Sequence, residues 1–189
     1  MEKKRFDPKK LQVLNDPARL LDIPPEAIWQ RLSLDHPEVL VDIGAGTGLF
    51  SASFARYVPD GKLYALDIAE VMVDWMKENV CPHYPQIIAM PMKDSVVPLA
   101  DGVADLVIMI NLHHELDKPE AMVAESFRLL KKQGRIAIVD WKKEAVSEGP
   151  PAHLRCTPEE VEQQLRQGGF RNVEIYRDLP KHFLVIAEK

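Results

Sequence analysis

Residues Val39–Phe50 read VLVDIGAGTGLF, and this stretch decides the fold. An apolar run carrying one acid, Asp42, passes directly into three alternating glycines, Gly44, Gly46 and Gly48. The run reads as a buried parallel strand. Glycine tolerates positive φ and lets a ligand lie against bare backbone. Leu49 to Tyr57 then has helical spacing, so the loop empties onto a helix N-terminus, which favours a bound small molecule. Asp67 closes the next apolar run, Leu63–Ile68, at the spacing expected of an acid that meets a ribose.

Outward from that motif the chain keeps one rhythm. Val39–Gly44, Leu63–Ile68, Ile87–Met90, Ala104–Asn111 and Arg135–Trp141 read as strands. Amphipathic stretches at Thr47–Tyr57, Ala69–Asn79 and Pro119–Lys132 separate them. Alternating strand and helix implies crossover units and a parallel sheet covered on both faces. Met92 to Val103 is poor in helix signals and reads as loop. Asp117-Lys118-Pro119-Glu120 and Thr157-Pro158-Glu159-Glu160 each place a capping residue three before a Glu, with proline in the first turn. After the helix Thr157–Gln167 and the Gly168-Gly169 stop come Val173–Leu179 and His182–Glu188. Only Pro180 and Lys181 separate these two strands, which permits a hairpin and forbids a parallel crossover.

The chain has 189 residues, 46% hydrophobic and 28% charged, with a formal net charge of −5. That suits one α/β domain over residues 1–189 and gives no electrostatic footprint for nucleic acid. Basic runs such as Lys3–Arg5 and Lys142–Lys143 are scattered surface. No stretch is long and apolar enough for a membrane span, and MEKKRFDPKK lacks a signal-peptide core, so the expected location is cytoplasmic with no membrane partner. Cys81 and Cys156 lie far apart and the histidines lack ligand spacing, so neither a disulfide framework nor a metal site is signalled.

The pattern Asp42-x-Gly44-x-Gly46-x-Gly48 resembles motif I of the class I S-adenosyl-L-methionine (SAM)-dependent methyltransferases, and Asp67 resembles their ribose-binding acid. The dinucleotide fingerprint G-x-G-x-x-G is spaced differently, which ranks a NAD-dependent oxidoreductase third. The run PLADGVADLVIMINLHHELDKPEAMVAESFRLLKKQGRIAIVDW, with its Leu130-to-Arg135 turn, is similar to the methyltransferase type 11 group. The resemblance implies a Rossmann-like, seven-stranded, mostly parallel sheet of order 3-2-1-4-5-7-6, strand 7 antiparallel, with helices on both faces. It implies SAM as cofactor and methyl transfer to a small-molecule acceptor. Asp42, Gly44, Ala45, Gly46, Asp67, Ile68 and Asn111 would hold the cofactor. The group's third-loop acid falls at Lys93 here, so Asp94 and Ser95 take the adenine.

Ligands of such sheets sit beyond the strand carboxyl ends, so Asn111, His113, His114 and Glu115 should face the pocket. A histidine titrating near neutrality suits proton removal, and His114 is preferred to His113 because neighbours point in opposite directions. The plain alternative is that they only satisfy loop groups. Asp67 likewise could simply cap the next helix, Arg155 pair with a surface carboxylate, and Trp141 pack. Acceptor contacts are expected from Phe6, Trp141, His153 and Arg155, with Arg155 as a fixed cation suited to an acidic or polar molecule. Residues 1–36, containing short helical pieces broken at Asp16-Pro17 and Pro24-Pro25, are expected to form a lid opposite Val146–Arg155. Magnesium assistance is disfavoured because strand 4 ends in Asn111, and arsenite methylation because the thiols are two and separated. Quinone-ring methylation has no membrane-binding face behind it. A SAM-binding sensor or non-catalytic partner subunit would keep the same glycines and is the alternative to an enzyme.

Overall fold

The computed structural model describes residues 11–144 and 148–189. The strands are β1 (Val39–Ile43), β2 (Lys62–Asp67), β3 (Ile87–Pro91), β4 (Ala104–Ile110), β5 (Leu130–Trp141), β6 (Arg171–Tyr176) and β7 (His182–Glu188). They form one sheet in the order β3-β2-β1-β4-β5-β7-β6. β1 pairs in parallel with β2 and β4, β2 with β3, and β4 with β5. β7 runs antiparallel between β5 and β6. Both the order and the reversed strand are those implied by the family resemblance.

The helices are α1 (Leu11–Leu14), α2 (Arg19–Asp22), α3 (Pro25–Leu32), α4 (Leu49–Ala55), α5 (Glu70–Asn79), α6 (Pro119–Leu129) and α7 (Pro158–Gln167). Two cores result, one on each face of the sheet. Ile28 and Leu32 of α3 pack with Phe54 of α4 and Met76 of α5 against Leu40 and Leu106. On the other face Met122 and Val123 of α6 and Leu165 of α7 cover Val41, Val107 and Ile138. The central strands are therefore apolar on both sides, which is why they read as runs rather than alternations.

The larger differences from the sequence reading fall at three places. The helix expected to reach Lys132 ends at Leu129, and β5 already begins at Leu130, because Leu130 pairs with Ala104 before a register shift. Gln133 takes φ 64 within that irregular start. β6 ends at Tyr176 rather than Leu179, since Leu179 turns into the core at 4% exposure. Of the two expected capping signals, Thr157 forms the full box with Glu160: Oγ1 accepts from Glu160 N at 3.2 Å and Glu160 Oε2 from Thr157 N at 2.6 Å. α6 instead starts at Pro119 with Lys118 as its N-cap and no side-chain cap.

Strand order reverses between β1 and β4, and a crevice opens there beyond their carboxyl ends. No helix of the described residues is long and apolar enough to cross a membrane.

Candidate active site

At that crevice lies a cavity of about 1040 Å³. Its floor comes from the glycine loop. Gly44 N and Ala45 N both donate to Leu66 O, at 2.8 and 2.9 Å, which folds the loop back over β2. Gly46 has φ 57, and a Cβ there would meet only Leu14 Cδ1, at 3.4 Å, so the protein leaves the space above it open. Gly48 has φ 79 and starts α4. A side chain on Gly48 would touch Met76 Cγ at 3.1 Å, so this residue belongs to helix packing.

Asp42 and Asp67 face this floor from β1 and β2. Asp42 is 3% exposed and its Oδ2 accepts from Ser51 Oγ at 2.5 Å. Burial is the main reason its carboxyl is pushed up to about 6, with the neighbouring Asp67 adding to the rise and Ser51 opposing it. Asp67 accepts from Gly46 N through Oδ2 and from Ala69 N through Oδ1, both at 2.9 Å. Burial raises its carboxyl too, while these backbone bonds pull it down. Asp67 therefore braces the start of α5 as well as the glycine loop, and no capping box with Glu70 forms. Each oxygen still has a second lone pair for a ribose hydroxyl. Ile68, Asp94 and Ser95 line the adjoining wall.

Asn111 follows β4 with φ 56, and its Oδ1 is buried without a hydrogen-bond partner. A buried acceptor of that kind is costly unless a ligand satisfies it. The open face of Gly46 and this orphaned oxygen are the features a bound nucleoside with an ammonium group would fill. The residues present fit SAM.

The two histidines separate as neighbours on a 3-10 turn should. His113 turns away from the cavity, where its Nε2 lies 2.7 Å from Gln164 Oε1 of α7, and burial lowers its pKa. His114 lines the cavity. Its Nδ1 lies 2.7 Å from Oδ1 of Asp140, a carboxylate with 0% exposure, and its backbone N donates to Oδ2 at 2.9 Å. Asp140 also accepts from Trp141 N at 2.7 Å. A carboxylate can only accept, so Nδ1 carries the proton and Nε2 the lone pair of neutral His114. Burial pulls the His114 pKa down, but the bond to Asp140 and the charges of Asp140 and Glu115 outweigh it, leaving it raised. The sequence placed Asp140 within the fifth strand without pairing it to His114.

The acceptor residues fare differently. Trp141 lines the cavity. Phe6 lies outside the described residues, as does Val146. His153 is exposed and Leu154 lines the wall in its place. Arg155 does not face the acceptor. It is 4% exposed, and its guanidinium donates to the carbonyls of Pro150, Lys142, Glu144 and Glu148 at 2.6–3.2 Å. A loop that leaves its carbonyls unpaired needs such a cation at its centre. No surface carboxylate pairs with Arg155 in these bonds. Among the described residues no three His, Cys, Asp or Glu are placed to hold a metal ion.

Val13, Leu14 and Arg19 also line the cavity, as do Gly149, Pro150, Pro151 and Leu154. Arg19, which the sequence reading passed over, donates to Leu14 O at 2.7 Å and lies 5.0 Å over the Phe50 ring. Lys181 links α2 to Glu148, 2.9 Å from Asp22 Oδ2 and 2.8 Å from Glu148 Oε2.

Comparison with known proteins agrees with this geometry. A family model described as a methyltransferase domain matches residues 41–138. The crystal structure of a SAM-dependent methyltransferase from Aquifex aeolicus superposes with a TM-score of 0.91 at 31% identity, covering 97% of this chain and 99% of that one. A malonyl-[acyl-carrier protein] O-methyltransferase of Methylococcus capsulatus is 28% identical over 152 residues, 74% of this chain and 54% of its own length. A ubiquinone/menaquinone biosynthesis C-methyltransferase of Pasteurella multocida is 29% identical over 148 residues, 71% of this chain and 52% of its own. The chain thus spans about half the length of the curated relatives it matches. It belongs to the SAM-dependent methyltransferases, a family of enzymes whose cofactor is S-adenosyl-L-methionine.

Proposed function

We propose that this chain binds SAM over the glycine loop and transfers its methyl group to a small-molecule acceptor held on the β4–β5 side of the cavity. The observation that carries this reading is Asp67, whose carboxylate is anchored on Gly46 N beside the open face of that glycine. The relatives' names divide between O- and C-methyl transfer, so the choice of acceptor rests on the geometry of this site.

SAM supplies a methyl group on a positively charged sulfur, electrophilic enough that alignment carries most of the acceleration. The protein's part is to bind and orient. Asp67 takes the ribose hydroxyls, Ile68, Asp94 and Ser95 border the adenine, and Asp42 and Asn111 face the methionine ammonium. His114, held in one tautomer by Asp140, accepts the acceptor's proton at Nε2. His113 ties the loop to α7 and takes no part in the chemistry. We infer that the segment from α1 through α2 (Leu11–Asp22) and the Gly149–Leu154 stretch close over the mouth as a lid that excludes water. The Lys181 bridge from Asp22 to Glu148 supports that coupling.

Calorimetric titration with SAM, S-adenosylhomocysteine and NAD tests the cofactor. The first two should bind one site and raise the Tm, and NAD should do neither. Binding of NAD in preference to SAM would overturn the reading. SAM binding without release of S-adenosylhomocysteine in the presence of small-molecule extracts would favour a sensor over an enzyme.

A further inference from the structure

The methionine end of SAM carries an ammonium and a carboxylate on one carbon, and Asp42 and Asn111 suit only the first of these. We infer that Arg19 binds the carboxylate, which makes the chain segment over the glycine loop part of the cofactor site. The inference rests on the proposed SAM site and deepens it.

Electrostatics demands a cation at this end of the cavity. Asp42 is 3% exposed, and the charge of Asp67 already acts on it. Two acids on one floor repel a third carboxylate, and in a partly desolvated site that repulsion is severe unless a cation stands beside it. Arg19 lines the cavity with Asp42, Gly46 and Phe50, and its charge is felt by Asp42.

The guanidinium is also held in place without being used up. It lies 5.0 Å over the ring of Phe50, in the first turn of α4, and Nη1 donates to Leu14 O at 2.7 Å. Among the described residues this is the guanidinium's one hydrogen bond, and no carboxylate forms an ion pair with it. Burial lowers its pKa, and Asp16 and Asp42 oppose the fall from a distance. The rest of the planar fork is therefore free for the two oxygens of a carboxylate. The plain alternative is that Arg19 only braces the turn between α1 and α2.

The Leu14 bond gives the contact a consequence. Leu14 Cδ1 stands 3.4 Å from where a Cβ on Gly46 would be, so the residue that holds the guanidinium also covers the glycine loop. A carboxylate drawn to Arg19 tightens Leu11–Asp22 over the cofactor.

The test compares S-adenosylhomocysteine with S-adenosyl-3-thiopropylamine, which keeps the ammonium and lacks the carboxylate. Calorimetry on the unmodified protein should show the first binding more tightly by about tenfold or more, as expected of a charge-assisted hydrogen bond. In Arg19→Met that ratio should fall to about threefold or less, and Arg19→Lys, a point charge without the fork, should lie between. Each ratio is taken within one protein, so a general loss of stability cancels. Hydrogen exchange needs no variant: S-adenosylhomocysteine should slow the amides of Leu11–Asp22 more than the thiopropylamine does. Equal affinity for the two ligands, a ratio that Arg19→Met leaves unchanged, or equal protection of Leu11–Asp22 would each overturn the inference. Failure of S-adenosylhomocysteine itself to bind would instead overturn the cofactor reading on which it rests.

Discussion

Asp67 Oδ2 accepts a 2.9 Å hydrogen bond from Gly46 N across 21 residues of sequence, so the acid that closes β2 also sets the shape of the glycine loop after β1. Its other oxygen accepts from Ala69 N at the start of α5. Ligand site and scaffold are therefore joined in one carboxylate. Asp67→Ala should lose both: affinity for SAM should fall by on the order of 1.5–3 kcal/mol, the worth of charged hydrogen bonds, and the Tm should fall as well. Calorimetry and thermal unfolding on the same variant separate the two effects. A lowered Tm with unchanged SAM affinity would reduce Asp67 to a brace.

Asp42 should make cofactor binding sensitive to pH. Its carboxyl is pushed up to about 6, mainly by burial. A ligand ammonium beside it favours the charged form, so binding below pH 6 must expel a proton. SAM affinity should fall about tenfold per pH unit as pH drops below 6. Calorimetry in buffers of different ionisation enthalpy would register the released proton. Asp42→Asn should bind weakly and lose the pH dependence. A flat affinity profile from pH 5 to 8 in the unmodified protein would sink the assignment.

Gly48 should be intolerant of even a methyl group. Its job is packing of α4 rather than contact with the ligand. The structure gives it φ 79 and places an added Cβ 3.1 Å from Met76 Cγ. A non-glycine residue at positive φ costs about 1–3 kcal/mol before any clash. Urea denaturation of Gly48→Ala should show at least that loss. Gly46→Val should instead abolish SAM binding, because its side chain enters the open space over the loop. Retained affinity in folded Gly46→Val protein would contradict the site.

Much of this was legible in the chain because it is local. The strand, the three glycines and the acid ending the next strand lie within Val39–Asp67, and their spacing determines one turn geometry. The strand order followed from resemblance, and the hairpin from the short gap before His182. What was hidden depends on partners far apart in sequence. His114 and Asp140 are 26 residues apart, and nothing local says that β5 sets Asp140 directly behind the ring. Arg155 was visible as a cation, but its partners are carbonyls, which every residue has and no sequence pattern marks. Leu179 looked like the end of a strand, because an apolar residue reads alike whether it continues a ladder or turns into the core.

Arg155 should govern the stability of the loop after β5 rather than acceptor affinity. Its N–H groups hold Lys142, Glu144, Glu148 and Pro150 together, and its guanidinium lies 5.6 Å over Trp141. Lysine cannot reproduce that fork. Arg155→Lys should cost on the order of 2 kcal/mol or more, since several carbonyls lose a charged donor. Hydrogen exchange should speed up in 148–155 while SAM affinity changes less than about threefold, under 1 kcal/mol. An unchanged exchange pattern would mean that the loop holds without it.

His182 should make the fold sensitive to acid. It opens β7 opposite Trp141, 1% exposed, with ring centroids 4.2 Å apart, and both of its ring nitrogens lack a hydrogen-bond partner. Burial lowers its pKa from 6.5 to about 4, with Arg19 and Lys181 adding to the fall and Asp140 and Asp22 opposing it. Between those values the unfolded chain takes up a proton that the native chain refuses, so stability rises with pH across this window and is lost as pH falls from 6.5 toward 4. The full difference is roughly 3 kcal/mol at ~1.4 kcal/mol per pH unit. Asp42, Asp67 and His114 act in the other direction. Asp42, raised to about 6, and Asp67 and His114, also raised, bind protons more readily in the native state and gain stability on acidification. The net profile therefore mixes signs, and the variant isolates one of them. His182→Phe keeps a ring against Trp141 and loses no hydrogen bond. Urea unfolding at intervals from pH 7 to 4.5 should show the unmodified protein losing about 2 kcal/mol more than the variant over that range. Parallel curves for the two proteins would show that His182 is already charged, or solvated, in the native state.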